Sequence, residues 1–307
     1  MRRFLCNLGA SLLLASALAL ALTAAAGADT VGPITFEQSQ GYVLGDIHGQ
    51  PFFPGSLPNG AWSKTGPYDV QVVLVSSFPA AAGYGFVSQA LRISDAVTSG
   101  SFGDQTFSPG LADEAGESSA DNAGLSGGLR RPHFDASFLI GTTQSTQQCV
   151  LCPTPLKMTV SPDRGDGARM SFLRFEDRMD GVHVIFVDVT DPGRVVDGDT
   201  FNTTDIATLD RAHSHLIRFS IDFKDGPAND QVKIYIDGSL KETGTTWEDY
   251  YRYDTEQAPG NKVPTVDKLL FRESGTPPTY DPNPGDAFSG GFLIDRVTLA
   301  SSANDHK

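Results

Sequence analysis

The strongest constraint on the fold is a strict alternation of apolar and polar residues in two consecutive segments. Every second residue of His215–Phe223 is apolar, and Gln231–Asp237 repeats the pattern. A period of two places the apolar side chains on one face of a β-strand and the polar ones on the other. Asp237-Gly238 then supplies the residues of positive φ that a tight hairpin turn needs, with Leu240–Thr243 as the predicted return strand. The chain is therefore predicted to form antiparallel sheets with one buried face.

Short strands separated by turns continue along most of the chain. Further strands are predicted at Val70–Ser76, Gly85–Ile93, Phe134–Ile140, Lys157–Val160, Met170–Phe175, Val182–Val189, Asp267–Phe271 and Phe292–Leu299. No long segment carries an apolar stripe of helical period, so helix is predicted to be minor. About ten strands with Gly, Pro, Asp and Asn turns between them predict one large all-β sandwich or jelly roll rather than two domains.

The first 28 residues predict a secretory signal peptide. A basic start, an apolar run over Leu8–Leu22 and the small residues Ala26-Gly27-Ala28 are typical of such a segment and its cleavage site. The β-sandwich is then expected to span residues 29–307, with a mobile surface loop near residues 113–128, where the sequence is poor in hydrophobic residues. We expect the mature protein to be secreted, extracellular or periplasmic, without membrane insertion, and monomeric.

The charge balance disfavours nucleic acid as a partner. The 307 residues include 23 Lys and Arg against 37 Asp and Glu, which gives a formal net charge of −14. Nucleic-acid binders usually carry a basic patch, whereas this sequence has no cluster of Lys and Arg larger than a pair such as Arg130-Arg131. Such a net charge aids solubility and disfavours anionic surfaces.

Cys149 and Cys152 are the cysteines that remain after the predicted cleavage. In a secreted protein the C-V-L-C spacing predicts a local disulfide in a loop. Redox catalysis would need this pair at the start of a helix, and a structural zinc would need two further ligands. The disulfide is therefore the favoured interpretation.

Two segments resemble a known family. Phe219–Gly244 and the terminal Gly291–Leu299 are similar to the strand, Asp-Gly hairpin and closing strand of concanavalin A-like, LamG-like jelly rolls. Ser99–Pro109, Ser161–Arg174 and Thr246–Asp254 also resemble a group of uncharacterised secreted bacterial proteins. The resemblance implies a single concanavalin A-like jelly-roll β-sandwich of two antiparallel sheets. For the wider superfamily it implies sugar binding, glycan hydrolysis or glycan lysis.

An aromatic stretch after the hairpin predicts a saccharide contact. Trp247, Tyr250, Tyr251 and Tyr253 are interleaved with charged residues. Sugars stack their C–H faces on aromatic rings, while charged side chains bind the hydroxyls. The leading hypothesis is a secreted carbohydrate-binding protein for an extracellular polysaccharide, with the contact residues Trp247, Glu248, Tyr250, Tyr251 and Arg252. The alternative is that Trp247 and one tyrosine only cover the edge of the sheet.

Two other functions stay open at the level of sequence. A polysaccharide lyase would need an arginine near a histidine or tyrosine base, for which Arg92, His183 and Tyr235 are the candidates. A glycoside hydrolase on the same fold would show closely spaced carboxylates such as E-x-D-x-E, and the sequence lacks that pattern. The third possibility is a structural or adhesive surface protein without a small ligand.

Aspartates clustered in turns are candidate calcium ligands. Asp163 and Asp166 lie in D-R-G-D-G, and Asp197 and Asp199 lie in D-G-D. Calcium takes six to eight oxygen ligands, and the resemblance to concanavalin A-like domains implies one structural ion of this kind. The alternative is that these aspartates only form turns and face solvent.

Overall fold

Two antiparallel β-sheets face each other in the computed structural model, which describes residues 28–52, 60–94, 104–121, 128–148, 154–189, 201–253, 263–274 and 290–303. The strands are β1 (Asp29–Ile34), β2 (Gly45–Asp46), β3 (Ser63–Lys64), β4 (Val70–Leu74), β5 (Gln89–Ile93), β6 (Thr106–Phe107), β7 (His133–Thr142), β8 (Lys157–Asp163), β9 (Phe172–Arg178), β10 (Gly181–Val189), β11 (Phe201–Leu209), β12 (His215–Asp222), β13 (Gln231–Ile236), β14 (Ser239–Gly244), β15 (Lys268–Ser274) and β16 (Phe292–Ser302). The helices are α1 (Glu248–Tyr253) and three short 3₁₀ segments, Gln38–Gln40, Val75–Ser77 and Pro79–Gly83. Within the described ranges no helix is long and apolar enough to cross a lipid bilayer.

The strand order confirms the predicted fold class. The nine-stranded sheet runs β14-β13-β12-β7-β16-β5-β4-β2, with β1 paired to β16, and the seven-stranded sheet runs β11-β10-β9-β8-β15-β6-β3. Neighbouring strands are often distant in the chain: β16, the last strand described, pairs with β7, β5 and β1. The protein is an all-β jelly-roll sandwich of two antiparallel sheets.

The apolar side of the alternating strands fills the space between the sheets. In β12 the predicted inward residues are fully buried: Ile217, Phe219 and Ile221. Phe138 of β7 spans the interface, because its ring centroid lies 6.1 Å from that of Phe175 and 5.9 Å from that of Phe271 in the opposite sheet. Burying each such side chain stabilises the fold by about 1.5–3 kcal/mol.

The predicted hairpin turn is confirmed. Asp237 (φ 51°) and Gly238 (φ 77°) are the two residues between β13 and β14. Positive φ at both positions is the backbone geometry that matches the twist of the strands on either side.

Strand β11 is absent from the sequence prediction. It lies at the edge of the seven-stranded sheet and pairs only with β10 among the described strands. Most of its residues are exposed or half-buried, so its sequence shows no alternation of apolar and polar positions. The predicted strand Val70–Ser76 ends at Leu74, and Gly85–Ile93 begins at Gln89.

The segment between β4 and β5 covers part of the outer face of the nine-stranded sheet. Phe78 and Tyr84 pack there against Ala90 and Leu293, which point away from the main core. The ring of Tyr84 fits because Gly141 has no side chain: a Cβ at that position would lie 2.3 Å from the ring. This part of the face is therefore covered by the chain itself.

Residues 113–121 are packed into the protein, which corrects the expectation of a mobile surface loop over the described part of 113–128. Glu114 and Glu117 are only 3% and 2% exposed, and Ala115 forms a β-bridge with Val266. Few apolar side chains hold this segment, and its carboxylates are bound by arginines instead: Glu114 accepts a hydrogen bond from Arg130 at 2.7 Å. The predictions for residues 1–27, Cys149, Cys152, Asp197 and Asp199 lie outside the described residues.

Candidate functional site

Three neighbouring strands form the floor of a pocket on the outer face of the seven-stranded sheet. Phe172 of β9 is paired with Val187 of β10, which is paired with Thr203 of β11. Their side chains point away from the core because the alternate residues, such as Leu173 and Phe186, are buried between the sheets. The pocket has a volume of about 580 Å³, and residues of and next to α1 form one wall.

Five aromatic rings line this pocket and form the aromatic cluster: Phe172, Phe201, Trp247, Tyr250 and Tyr251. The ring centroid of Trp247 lies 5.0 Å from that of Phe201, 5.9 Å from that of Phe172 and 5.9 Å from that of Tyr250. Rings at these separations attract one another. The cluster is therefore a continuous apolar surface contributed by β9, β11 and the α1 region.

Two rings of the aromatic cluster belong to the protein interior. Trp247 is 7% exposed, and its Nε1 donates a hydrogen bond of 3.0 Å to the carbonyl oxygen of Val187. Tyr251 is also 7% exposed and donates its hydroxyl proton to the carbonyl oxygen of Arg169 at 3.1 Å, and burial raises its pKa. These two rings shape the wall of the pocket. The ring of Phe201, which is 42% exposed, and the half-buried ring of Tyr250 are the ones that a ligand can cover.

Two arginines add positive charge to the same pocket. The guanidinium carbon of Arg169 lies 6.0 Å from the ring centroids of both Phe172 and Trp247. Arg174, two residues after Phe172 on the same face of β9, donates to Glu176 Oε1 at 2.7 Å and lines the pocket. A guanidinium beside aromatic rings suits a ligand with both an apolar face and a carboxylate or sulfate group.

Helix α1 divides the predicted contact residues into two sets. Trp247, Tyr250 and Tyr251 line the pocket, at the i, i+3 and i+4 spacing that brings residues to one side of a helix. Glu248 and Arg252 lie on the other side, where Glu248 is 1% exposed and Arg252 forms an ion pair with Glu117. The five predicted contact residues therefore do not form one surface, because the helix turns adjacent residues such as Tyr251 and Arg252 to different sides.

The charged side of α1 borders three buried carboxylates, Glu117, Asp230 and Glu248, which form the acid group. One oxygen from each lies within 4.8 Å of the others. Glu248 Oε1 accepts the backbone N–H groups of Asn229 and Asp230 at 2.8 and 2.9 Å, and Asp230 accepts the hydroxyl of Thr246 at 2.7 Å. Burial is the main cause that raises the pKa of Asp230 to about 8 and that of Glu248 to about 7, and the neighbouring carboxylates raise both further.

The residues considered for a lyase do not share a groove. Arg92 lies on β5 and is 5% exposed, and its guanidinium binds both oxygens of Asp69 at 2.8 and 2.7 Å. Tyr235 lies on β13 of the same sheet, with β12, β7 and β16 between them, and its ring lies 5.2 Å from the guanidinium carbon of Arg218. His183 lies on β10 of the other sheet. The predicted grouping of these three residues is therefore corrected.

His183 is held by two carboxylates. Its Nδ1 lies 2.6 Å from Asp205 Oδ2, and its Nε2 lies 3.0 Å from Asp180 Oδ1. Partial burial lowers the pKa of His183, but the hydrogen bonds to Asp205 and Asp180 outweigh it, so the pKa is raised. A protonated imidazole with both nitrogens engaged does not serve as a general base.

Asp163 and Asp166, the two predicted calcium ligands that the structure describes, form a turn. Asp163 Oδ1 accepts the backbone N–H groups of Gly165, Asp166 and Gly167 at 2.5, 3.1 and 3.2 Å. Asp166 lies at the surface and accepts from Arg164 Nε at 2.7 Å. Asp163 and Asp166 are thus both engaged in the local structure of the turn.

No protein-family profile matches the sequence, and no curated protein matches it. The chain is similar in structure to β-agarase A from Zobellia galactanivorans (TM-score 0.43, 10% identity, 90% of this chain and 93% of the agarase covered). It is also similar to an endo-β-1,4-glucuronan lyase from the fungus Trichoderma reesei (TM-score 0.41, 12% identity, 85% and 95% covered). An alginate lyase from Pseudomonas aeruginosa has a TM-score of 0.40 and 10% identity, with 70% of this chain and 82% of the lyase covered.

Proposed function

We propose that the protein binds an acidic extracellular polysaccharide in the pocket on the outer face of the seven-stranded sheet. The observation that carries the proposal is the convergence of the aromatic cluster with Arg169 and Arg174 at one cavity of about 580 Å³. Ligand pockets typically have volumes of roughly 300–1,000 Å³, with apolar walls and a few polar groups that orient the ligand. This pocket has the size for one or two sugar rings.

The chemistry of the pocket suits a uronate or sulfated sugar. The exposed rings of Phe201 and Tyr250 would stack on the C–H face of a sugar, and the guanidinium groups would bind its carboxylate or sulfate. The protein as a whole is strongly acidic, so it repels an anionic polymer at long range. The local arginines therefore carry the selectivity for acidic over neutral chains.

Binding without cleavage is the function that this geometry supports best. Arg92, His183 and Tyr235 are distributed over two sheets, and Arg92 and His183 are already held by carboxylates. A lyase or hydrolase would release new chain ends from a polysaccharide. Product formation is therefore measured together with retention.

The test uses affinity electrophoresis and calorimetry of the purified protein with uronic-acid, sulfated and neutral polysaccharides. Phe201→Ala and Tyr250→Ala are each expected to weaken binding of an acidic chain about tenfold, because a stacked ring contributes roughly 1 kcal/mol or more. Phe52→Ala is the matched control, because Phe52 is 59% exposed but lies outside the pocket.

Three results would contradict the proposal. Binding that is unchanged in both pocket variants would move the ligand elsewhere, and an equal loss in Phe52→Ala would show a nonspecific effect of removing exposed rings. New reducing ends or unsaturated uronate products would make the protein an enzyme.

A further inference from the structure

The acid group next to α1 places three carboxylates in the interior beside one arginine. Glu117, Asp230 and Glu248 are 2%, 3% and 1% exposed. Among the described residues, Arg252 is the cation in ion-pair contact with the group: it contacts Glu117, and its Nη2 lies 3.4 Å from Glu248 Oε2. Ionising all three carboxylates beside one guanidinium would place a net charge of −2 in the interior, so full ionisation of the group needs a further cation. Buried charges without a counter-charge are strongly destabilising.

One carboxylate oxygen of the acid group lacks a hydrogen-bond donor among the described residues, which indicates a missing ligand. Glu117 Oε2 is buried and has no hydrogen-bond partner in the part of the chain that the structure describes, although Glu117 Oε1 is bound by Arg252. The side-chain oxygen of Asn229 is also buried and without a partner, and the backbone N–H of Asn229 binds Glu248 in the same group. Buried polar atoms almost always have a partner, so an atom that lacks one needs an explanation such as a bound ion.

The available donors are all oxygens. Three carboxylates and one amide oxygen are the ligands that hard divalent cations prefer, and calcium accepts six to eight of them in a flexible geometry. The ligands come from three separate parts of the chain: the segment before β7, the β12–β13 loop and the first turn of α1. A rigid octahedral arrangement, as magnesium requires, is harder to assemble from such separate segments.

We infer that Glu117, Asp230 and Glu248 bind a divalent cation of the calcium class, with the side-chain oxygen of Asn229 as a further ligand. The cation supplies the charge that Arg252 leaves uncompensated and gives Glu117 Oε2 a partner. It also ties together the three segments that meet at α1. This site differs from the aspartate turns that the sequence suggests, and it lies on the side of α1 away from the pocket.

The experiment measures cation binding in the absence of any polysaccharide, so its result is independent of the proposed function. Protein stripped with EDTA is titrated with CaCl₂ while the Tm is recorded, and Tb³⁺ is used as a luminescent probe. Saturating Ca²⁺ is expected to raise the Tm by about 5 °C or more. Tb³⁺ emission is expected on excitation of tryptophan, because Trp247 precedes the ligand Glu248 in the chain.

Glu117→Gln and Asp230→Asn are the two test variants. Each is expected to weaken Ca²⁺ binding at least tenfold. Each amide keeps the size of the side chain and a hydrogen-bond acceptor but cannot ionise, so the Tm in EDTA is expected to equal or exceed that of the wild type, which separates loss of the site from loss of the fold. Asp166→Asn, a surface carboxylate of the sequence-suggested calcium set, is the matched control and is expected to bind Ca²⁺ normally.

Several outcomes would overturn the inference. One is a wild-type protein whose Tm and Tb³⁺ emission do not respond to cations up to about 10 mM, well above the range of weak extracellular calcium sites. Another is loss of binding in Asp166→Asn with normal binding in Glu117→Gln. A third is a Tm in EDTA that falls in both test variants, which would show that the ionised carboxylates are already compensated.

Discussion

The two outer faces of the sandwich carry similar residue types with different partners. On the nine-stranded sheet, His133 lies between Asp135 and Asp222 at 2.8 and 2.7 Å, and Arg218 binds Asp135. On the seven-stranded sheet, Arg169 and Arg174 line the same pocket as the exposed ring of Phe201. Residue type alone therefore does not distinguish a structural charge from a ligand-binding one.

The comparison is explained by what covers each sheet. Phe78 and Tyr84 close one part of the nine-stranded face, and ion pairs satisfy charges on another. The seven-stranded face holds the pocket with the aromatic cluster, whereas a cavity of about 400 Å³ on the nine-stranded face has Phe78 as its one aromatic lining residue among those described. A loss of stability is expected from changes to the ion pairs and packed rings of the nine-stranded face, and a loss of binding from changes at the exposed rings of the seven-stranded one.

The largest effect is expected for Trp247→Ala. Trp247 joins the two roles, because it lines the pocket and is also part of the core. Removing its ring is expected to lower the free energy of unfolding by about 3–5 kcal/mol, measured by urea denaturation. Trp247→Phe keeps most of the packing and serves as the control. An unchanged unfolding midpoint for Trp247→Ala would show that the ring is only a contact surface.

Asp69→Ala is expected to cost about 3 kcal/mol or more, because it leaves the guanidinium of Arg92 buried without its partner. Arg92→Met combined with Asp69→Leu should recover much of this loss, since an apolar pair replaces the buried ion pair. Polysaccharide retention should be the same in all these variants. Reduced retention with a stable fold would place Arg92 in a binding or catalytic role.

His133 is expected to make stability depend on pH in a defined direction. Burial lowers the pKa of His133, but Asp135 and Asp222 raise it by more, so the folded protein holds the proton more tightly than the unfolded chain. The stabilisation is therefore complete below about pH 6.5 and is lost as the pH rises through the raised pKa. Urea midpoints at several pH values should show this loss in the wild type relative to His133→Gln. Parallel profiles for the two proteins would refute the assignment.

Arg174→Gln is expected to have the smallest effect on stability, below about 1 kcal/mol, because its pair with Glu176 is partly exposed. Binding of an acidic polysaccharide should fall several-fold, and binding of a neutral one should not change. The difference should shrink as salt is added. Equal losses for both polysaccharides would indicate that Arg174 only shapes the pocket.

The sequence predicts the parts of this molecule that depend on local pattern. The alternation in β12 and β13 and the Asp237-Gly238 turn are confirmed because strand period and turn chemistry act over a few residues. The aromatic stretch was identified by composition. The composition did not predict that α1 divides this stretch into two sets. Adjacent residues of a helix point to different sides, so side chains that are neighbours in the sequence do not share one surface.

Long-range partners explain what the sequence could not provide. Glu117 meets Glu248 although 131 positions separate them in the chain (248 − 117), and no local pattern marks that contact. Phe201 begins an edge strand in which most residues are exposed or half-buried, so the sequence lacks the alternation of apolar and polar residues that predicts a strand. The sequence could have identified Phe172 and Arg174 as candidate site residues, because both occupy outward positions of a predicted strand.

The central place of β16 has a consequence for how the protein is made. This strand pairs with β7, β5 and β1, yet it lies at the C-terminal end of the described chain. During vectorial synthesis, the strands on either side of it, β5 and β7, can therefore be joined into one sheet only after β16 has left the ribosome. Such non-local pairing slows folding, because the entropy cost of closing a long loop comes before the stabilising contacts form. Removing β16 should therefore separate the β2–β4–β5 strands from the β7–β12–β13–β14 strands and leave β1 without its partner.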